Sequence, residues 1–161
     1  MQGGYLFADT IAANICPGAE TINEERLYKA VEIANIKGYI ESLPLGFNTR
    51  IGVNGHGLSE GQKQRLLIAR VVYKDPEIIL FDEATNSLDA GNEKVIVENL
   101  QEFYAGKTVV IVAHRLSTVR YSDYIVVLDG GRIAETGTHE TLTEKKGVYY
   151  NLVKNQLELG G

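Results

Sequence analysis

The sequence predicts an α/β fold with a mainly parallel sheet, because strand-length apolar runs alternate with segments of helical periodicity. Residues 78–81 and 108–113 are largely unbroken apolar runs, the pattern of strands covered on both faces of a sheet. Residues 22–42 show helical spacing and no strand pattern. They therefore predict a helical subdomain inserted on the sheet core.

The first part of the chain predicts short helices. Residues 8–15 predict a turn entering a helix that ends at Cys16-Pro17-Gly18. Apolar residues at helical spacing, beginning with Ile22, predict a helix over residues 21–33 with those side chains facing inward. A further helix is predicted over residues 36–42, and residues 45–57 form a loop rich in glycine and asparagine.

The remaining elements follow from caps and turns. Ser59 begins the clearest helix, which Asp75-Pro76 ends. A second amphipathic helix covers residues 92–103, with Val95 among its predicted inward residues. Asp129-Gly130-Gly131 indicates a hairpin turn. The other predicted segments are a helix at 116–121, strands at 124–128 and 132–135, and closing helices at 138–143 and 148–157.

Composition limits the functions available to these 161 residues, which suit one domain. The net charge of −5 argues against a nucleic-acid platform, which would need a basic face. The single cysteine, Cys16, excludes an internal disulfide. No apolar run approaches the roughly 20 residues of a membrane helix, so a membrane role is expected to come through a partner.

Two carboxylates, Asp82 and Glu83, follow the first apolar run. The carboxyl edge of a parallel sheet is where α/β proteins bind ligands. There Asp82 could hold Mg²⁺ and Glu83 could orient or deprotonate a water. The alternative is a solvated strand end with two surface acids. His114 follows the second run and could contact a phosphate at the same edge, although a histidine at a strand end is more often incidental.

The start of the Ser59 helix is the second candidate site. Ser59 and Gln62 form a capping-box pattern, and Gly61 permits close approach to phosphate oxygens. The alternative is a well-capped helix without a ligand. Glu60 would compete with an anion for the positive helix end, so its side chain is expected to point away.

Gly106-Lys107-Thr108 looks like the end of a phosphate-binding loop but lacks the glycine required five residues earlier. It also runs from a helix into a strand, so we interpret it as a turn. The full G-x-x-x-x-G-K-[ST] pattern does not occur in these 161 residues.

Five motifs in order resemble those of ATP-binding cassette (ABC) ATPases, over nearly the whole sequence. Residues 58–65 (LSEGQKQR) resemble the signature motif, and residues 78–83 (IILFDE) resemble Walker B. Residues 87–89 (SLD) resemble the D-loop, His114 the switch histidine, and Gln2 the Q-loop glutamine. The sequence is most similar to the exporter type.

The resemblance implies a P-loop NTPase-type parallel sheet core, incomplete here, with a helical subdomain. It makes residues 1–161 a partial ABC ATPase domain, with a helical signature part at about residues 12–75 and an ATPase-core part at 76–161. Walker A would lie upstream of Gln2, and its absence is expected to leave an exposed apolar flank on the sheet. The abrupt start at residue 1 is expected of the interior of a domain.

The resemblance also assigns roles, with ATP and Mg²⁺ as cofactors. Asp82 and Gln2 would attend Mg²⁺, Glu83 would act as the general base, and His114 would clamp the γ-phosphate. Ser59 and Gly61 would contact the γ-phosphate of ATP held mostly by a second nucleotide-binding domain. Leu58, Gln62 and Asp89 are also assigned to nucleotide binding, and Asp89 would cross the dimer interface.

The implied function is ATP hydrolysis between two head-to-tail domains, in a homodimer or a heterodimer. It would power export at the cytoplasmic face of a membrane, through transmembrane domains outside this sequence. The chain alone is expected to be inactive.

The alternatives are a non-hydrolytic partner that donates its signature in a heterodimer and an ATPase of the chromosome-condensation or DNA-repair type. The second is disfavoured by the short insertion and by Gln62, where that type tends to carry an acid. Two departures from the exporter pattern are Glu60 in place of glycine and Val53 in place of glutamate.

Overall fold

The computed structural model describes residues 5–52, 57–82, 90–112 and 119–159. Within these ranges, no helix is long and apolar enough to cross a membrane. The elements, in chain order, are α1 (Ile11–Ile15), α2 (Glu24–Ile33), α3 (Lys37–Ser42), a 3-10 turn (Gly46–Asn48), α4 (Glu60–Lys74), β1 (Ile78–Asp82), α5 (Ala90–Tyr104), β2 (Thr108–Val112), β3 (Ile125–Asp129), β4 (Arg132–Gly137), α6 (His139–Lys145) and α7 (Val148–Leu159).

The chain forms two compact units, Met1–Val112 and Ala113–Gly161. The first unit contains the helices up to α5 and the parallel strand pair, and the second contains the hairpin with its two helices. The division of the sequence into a helical part at 12–75 and an ATPase-core part at 76–161 stays a prediction.

Helix α4 is the central helix of the first unit. Its apolar face packs on α1 and α2 in one core, through Leu66, Ile68, Ala69 and Val72. The helix ends where Asp75 takes a left-handed conformation, with φ 50°, and Pro76 follows. The Lys107 ammonium lies 2.8 Å from the Asp75 carboxylate and fastens this end to the turn before β2.

Strands β1 and β2 pair in parallel, with Ile78 opposite Thr108 and Asp82 opposite Val112. The parallel pairing of the two strands is as predicted. The prediction that both faces of these strands are covered is wrong. Ile79 and Phe81 are buried, whereas Ile78 is 72% and Leu80 63% exposed. An unbroken apolar run cannot show which face is covered, since only alternation of polarity carries that information. Val110 and Val112 are likewise exposed on β2.

Two predicted helix faces differ from the structure. Helix α2 begins at Glu24 rather than residue 21, because the Asn23 side chain accepts from the Arg26 N–H and caps it. Ile22 therefore precedes the helix and is 40% exposed. In α5, Val95 is also 40% exposed, because Glu93 and Ile96 occupy the buried face instead.

The loop over residues 45–57 is not wholly irregular, since it contains the 3-10 turn. It then pairs with the segment before α1: the Ile11 N–H donates to the Thr49 carbonyl at 3.0 Å, and the Ile51 N–H to Asp9 at 2.9 Å. A Cβ on Gly52 would lie 2.9 Å from the Ala8 Cα, so glycine permits this approach.

The second unit follows its prediction closely. Strands β3 and β4 form an antiparallel hairpin whose turn residues, Gly130 and Gly131, have φ of 54° and 74°. Positive φ at both positions matches the type of tight turn that glycine favours. Thr138 caps α6 by accepting from the Thr141 N–H. The first half of the predicted helix at 116–121, residues 116–118, lies outside the described residues.

Candidate functional site

The first turn of α4 carries the signature residues, and it is built by a capping box. The Ser59 hydroxyl accepts from the Gln62 N–H at 3.2 Å, and the Gln62 Oε1 accepts from the Ser59 N–H at 2.9 Å. Ser59 is exposed, so its hydroxyl face is open to a ligand. The first N–H groups of a helix have no intrahelical acceptor, and they carry the positive end of its dipole. Glu60 and Gly61 hold those positions here.

The neighbouring residues divide into anchors and ligand candidates. Leu58 is half-buried against the main core, so it anchors the entry into the helix. The Gln62 side chain is bonded back to Ser59, which makes its role in this structure that of a cap. Ser59 and the backbone of Gly61 remain as the groups best placed to meet phosphate oxygens.

The Glu60 carboxylate is held on the helix surface. Its Oε1 lies 2.6 Å from the Lys63 Nζ, and both side chains are substantially exposed. This pairing along the helix partly neutralises the acid at the positive helix end. Glu60 is therefore compatible with an anion at the start of α4, in the way expected of a side chain that turns from the ligand.

A polar clamp joins the middle of α4 to the segment before α1. Arg70 donates through Nε to the Asn14 carbonyl at 2.7 Å and through Nη1 to the Tyr5 carbonyl at 3.1 Å. Its guanidinium also lies over the Phe7 ring, 5.7 Å from the centroid. Burial lowers the pKa of Arg70 from its ordinary value.

Asn14 completes the clamp from a fully buried position in α1. Its Oδ1 accepts from the Phe7 N–H at 2.7 Å, and its Nδ2 donates to the carbonyls of Phe7 and Thr10, each at 3.0 Å. We call Asn14 and Arg70 the 14–70 clamp. It fixes the segment that begins three residues after Gln2. The signal that could have revealed it is a polar residue interrupting an apolar helix face in both α1 and α4.

Asp82 closes β1 and is half-buried. Its parallel register with Val112 means that the chain leaves β1 and β2 at the same sheet edge. Within the described ranges, no group of three His, Cys, Asp or Glu side chains is placed to hold a metal ion. Four predicted site residues lie outside the described residues: Gln2, Glu83, Asp89 and His114. Val53 lies outside them as well.

The Gly106-Lys107-Thr108 segment is a helix-to-strand turn, as predicted. Gly106 has φ 75°, and the Lys107 N–H donates to the Tyr104 carbonyl at 2.9 Å. The Lys107 side chain pairs with Asp75 and lies over the Phe103 ring. These contacts commit it to the α4–α5 end of the unit rather than to a phosphate.

Comparisons with known proteins extend this picture. The ABC transporter family profile matches residues 5–86. The chain is 48% identical over 155 residues to the ATP-dependent lipid A-core flippase of Saccharophagus degradans, covering 96% of the chain and 26% of the flippase. It is 50% identical over 157 residues to the ABC multidrug transporter atrD of Emericella nidulans, covering 96% of the chain and 12% of that transporter.

A solved bacterial Atm1-family ABC exporter with ATP bound matches the fold with a TM-score of 0.90 at 40% identity. The match covers 98% of this chain and 28% of the exporter chain. The chain thus spans about a quarter or less of the length of these relatives. Its P-loop NTPase-type fold is that of an ABC nucleotide-binding domain. By its sequence profile and its fold, the chain belongs to the ABC transporter family.

Proposed function

We propose that this chain is part of the ATP-hydrolysing subunit of an ABC exporter. The observation that carries the proposal is the exposed, capped start of α4, which presents Ser59 and Gly61 in a fold shared with an ATP-bound exporter. The names of the relatives, a lipid flippase and a multidrug transporter, support export as the process that hydrolysis powers. In the complete protein, a glycine-rich phosphate loop would precede Gln2.

The chemistry of the residues fits a magnesium nucleotide. A helix N-terminus with a hydroxyl and free amides suits phosphate oxygens, and a carboxylate at a strand end suits a hard divalent cation. Asp82 and Gln2 would hold Mg²⁺, which would neutralise charge on the phosphates when bound. Ser59 and Gly61, with Leu58 and Gln62 shaping their turn, would contact the γ-phosphate of a nucleotide held mostly by a second domain.

The remaining roles would fall to three residues that lie outside the described part of the chain. Glu83 would accept a proton from the attacking water, and His114 would hold the γ-phosphate. Asp89 would reach across to the second nucleotide-binding domain, so that two domains pair head to tail as a homodimer or a heterodimer. Transmembrane domains outside this sequence would place the pair at the cytoplasmic face of the membrane.

The test is ATP turnover by the full-length protein and its Glu83→Gln variant. Loss of the general base is expected to slow hydrolysis by about 10²-fold or more. Asn48→Ala, which changes an exposed residue of the 3-10 turn, is the control and should keep full activity. Full activity of Glu83→Gln would refute the assigned role, and an inactive unmodified protein would refute the hydrolytic function.

The 161-residue chain alone is expected to bind Mg-ATP weakly and to show no turnover. The amides and lysine of a phosphate loop supply most of the electrostatic attraction for the phosphates, and this sequence lacks that motif. Calorimetry with Mg-ATP measures this directly. Micromolar affinity would contradict the expectation.

A non-hydrolytic partner that donates its signature is the second candidate. In this candidate two copies of these residues could not build one complete site, because the G-x-x-x-x-G-K-[ST] pattern does not occur in them, so hydrolysis would require a different subunit. Glu83 weighs against it, since such a partner needs no general base. The candidate predicts that the full-length protein is inactive alone and activates hydrolysis in a different subunit.

A further inference from the structure

Arg65 connects three helices at the level of the signature turn. Its Nη1 donates to the Asn35 carbonyl at 2.8 Å and to the Asn92 Oδ1 at 3.3 Å, and its Nε lies 3.4 Å from the Gly61 carbonyl. Asn35 follows α2, and Asn92 lies in the first turn of α5. One guanidinium therefore contacts the end of α2, the start of α4 and the start of α5.

A second bond closes the arrangement. The Asn35 Nδ2 donates to the same Asn92 Oδ1 at 2.9 Å, so Asn92 serves both donors. Asn35 has φ 50°, a left-handed conformation that asparagine tolerates better than most residues, and this conformation ends α2. We call Arg65, Asn35 and Asn92 the 35–65–92 network. All three side chains are half-buried, where such bonds are less exposed to competition from water.

The network holds the first turns of α4, whose own side chains are not fully buried. The fully buried side chains of α4 begin only at Leu66. The preceding turn, with Ser59 and Gly61, is held by the packing of Leu58 on the core, by its capping box and by Arg65. The Arg65 Nε also lies 3.4 Å from the Gly61 carbonyl, one peptide unit beyond the Gly61 N–H that the proposed function places against phosphate.

We propose that Arg65 is a positioning residue that keeps the signature turn and the start of α5 in one fixed geometry. The inference rests on the proposed function, in which the signature turn contacts a nucleotide held mostly by the second nucleotide-binding domain and Asp89 reaches across to that domain. Asp89 directly precedes α5 in the sequence, and the bonds to Asn92 hold the start of that helix. The network then sets the spacing of two parts of the same interface.

Arginine is required because its planar fork serves several acceptors at once. A lysine ammonium at this position is a single point on a flexible stem and cannot reproduce that geometry. Arg65→Lys keeps the charge, whereas Arg65→Gln removes it. Asn35→Gly keeps the left-handed backbone and the carbonyl that accepts from Arg65. It removes only the hydrogen bond from the Asn35 side chain to Asn92.

Asn99 provides the matched control. Its Nδ2 donates to the carbonyls of Ile33 and Glu32, at 3.2 and 3.4 Å, so it caps the same end of α2 from α5. The hydrogen bonds that Asn99 makes in the structure do not reach α4. If the network only stabilises the end of α2, then Asn99→Ala and Arg65→Gln should behave alike.

The experiment measures kcat, KM and melting temperature of the full-length protein and these variants, together with amide hydrogen exchange over residues 58–66. Arg65→Gln and Arg65→Lys are expected to lower kcat by about three- to tenfold, a size typical of mutations that alter coupling. Exchange at 58–66 should rise. Asn99→Ala should lower the melting temperature but leave kcat and exchange at 58–66 unchanged. The decrease in kcat and the increase in exchange at 58–66 caused by Asn35→Gly should be smaller than those caused by Arg65→Gln and larger than those caused by Asn99→Ala.

Unchanged kcat and unchanged exchange in Arg65→Gln would overturn the proposal, and so would equal effects of Arg65→Gln and Asn99→Ala. The exchange measurement separates this inference from the proposed function. If the unmodified protein does not turn over ATP, the proposed function fails. Increased exchange at 58–66 in Arg65→Gln, absent from Asn99→Ala, would still support the positioning role.

Discussion

Replacing Asn14 with alanine should lower the free energy of local opening around α1 by about 3 kcal/mol. The fully buried side chain makes three hydrogen bonds of 2.7–3.0 Å, to Phe7 twice and to Thr10. A typical intramolecular hydrogen bond contributes about 1 kcal/mol net. The longer contact from the Arg70 Nη2, at 3.4 Å, is omitted from this sum because its geometry is weak.

Cys16 makes a local assay possible, because it is the single cysteine of the sequence and is buried directly after α1. Burial raises the pKa of its thiol, so the closed form reacts slowly with a disulfide reagent. When opening is fast relative to labelling, the labelling rate follows the population of the open form. A loss of about 3 kcal/mol then accelerates labelling roughly a hundredfold, since each 1.4 kcal/mol is a factor of ten.

The control is Asn48→Ala, an exposed asparagine whose replacement should change the rate by less than about twofold. Circular dichroism confirms that both variants remain folded at the labelling temperature. A labelling rate for folded Asn14→Ala within threefold of the unmodified chain would refute the reasoning. It would mean that the 14–70 clamp does not hold α1 closed.

Three further outcomes are expected. Ser59→Ala removes the helix cap, so it should lower the free energy of unfolding in urea by about 1 kcal/mol. Ser59→Asp should keep the cap but abolish ATP turnover, because it places an anion at the phosphate position. The Tyr149 N–H and the Lys145 ammonium hold the pKa of the Glu135 carboxyl below its usual value of 4.5. The ionised carboxylate therefore stabilises the fold above pH 4.5, and this stabilisation is lost as the pH falls through the lower folded-state pKa. Hydrogen exchange of α7 against pH should show this loss, and Glu135→Gln should remove the pH dependence. Leu80→Lys, on the exposed face of β1, should reduce self-association of the chain in light scattering without unfolding it, and an unchanged particle size would exclude that face as the cause.

Caps and turns are the features that the sequence specified best. Ser59 caps its helix where predicted, and Gly130 with its neighbour forms the hairpin turn. Each depends on one or two residues whose preference has a local physical cause, such as a side-chain acceptor near free amides or the freedom to take positive φ. Local causes of this kind are legible in the sequence without knowledge of the neighbours.

Faces of elements were harder to predict, because burial depends on what packs opposite. Val95 and Glu93 exchange the places that their polarity suggests, and Leu80 is exposed within an apolar strand. Ile22 lies outside its predicted helix because the Asn23 cap decides where the helix begins. In each case packing against neighbouring elements decides which side chains are buried, and the polarity pattern of the segment does not contain that information.

The signature motif includes Arg65 as its last residue, and periodicity finds apolar faces, but neither shows what a half-buried arginine inside a helix contacts. Helix α4 has two such residues that join other segments, five positions apart. Arg65 ties its first turns to Asn35 and Asn92, and Arg70 ties its later turns to Asn14 and the segment after Gln2. The two arginines lie about 7.5 Å apart along the axis of one helix, so both fix the position of the same element. By this argument α4 links the signature turn to the segment beside the predicted Q-loop, and the two arginines are the points at which that link can be cut separately.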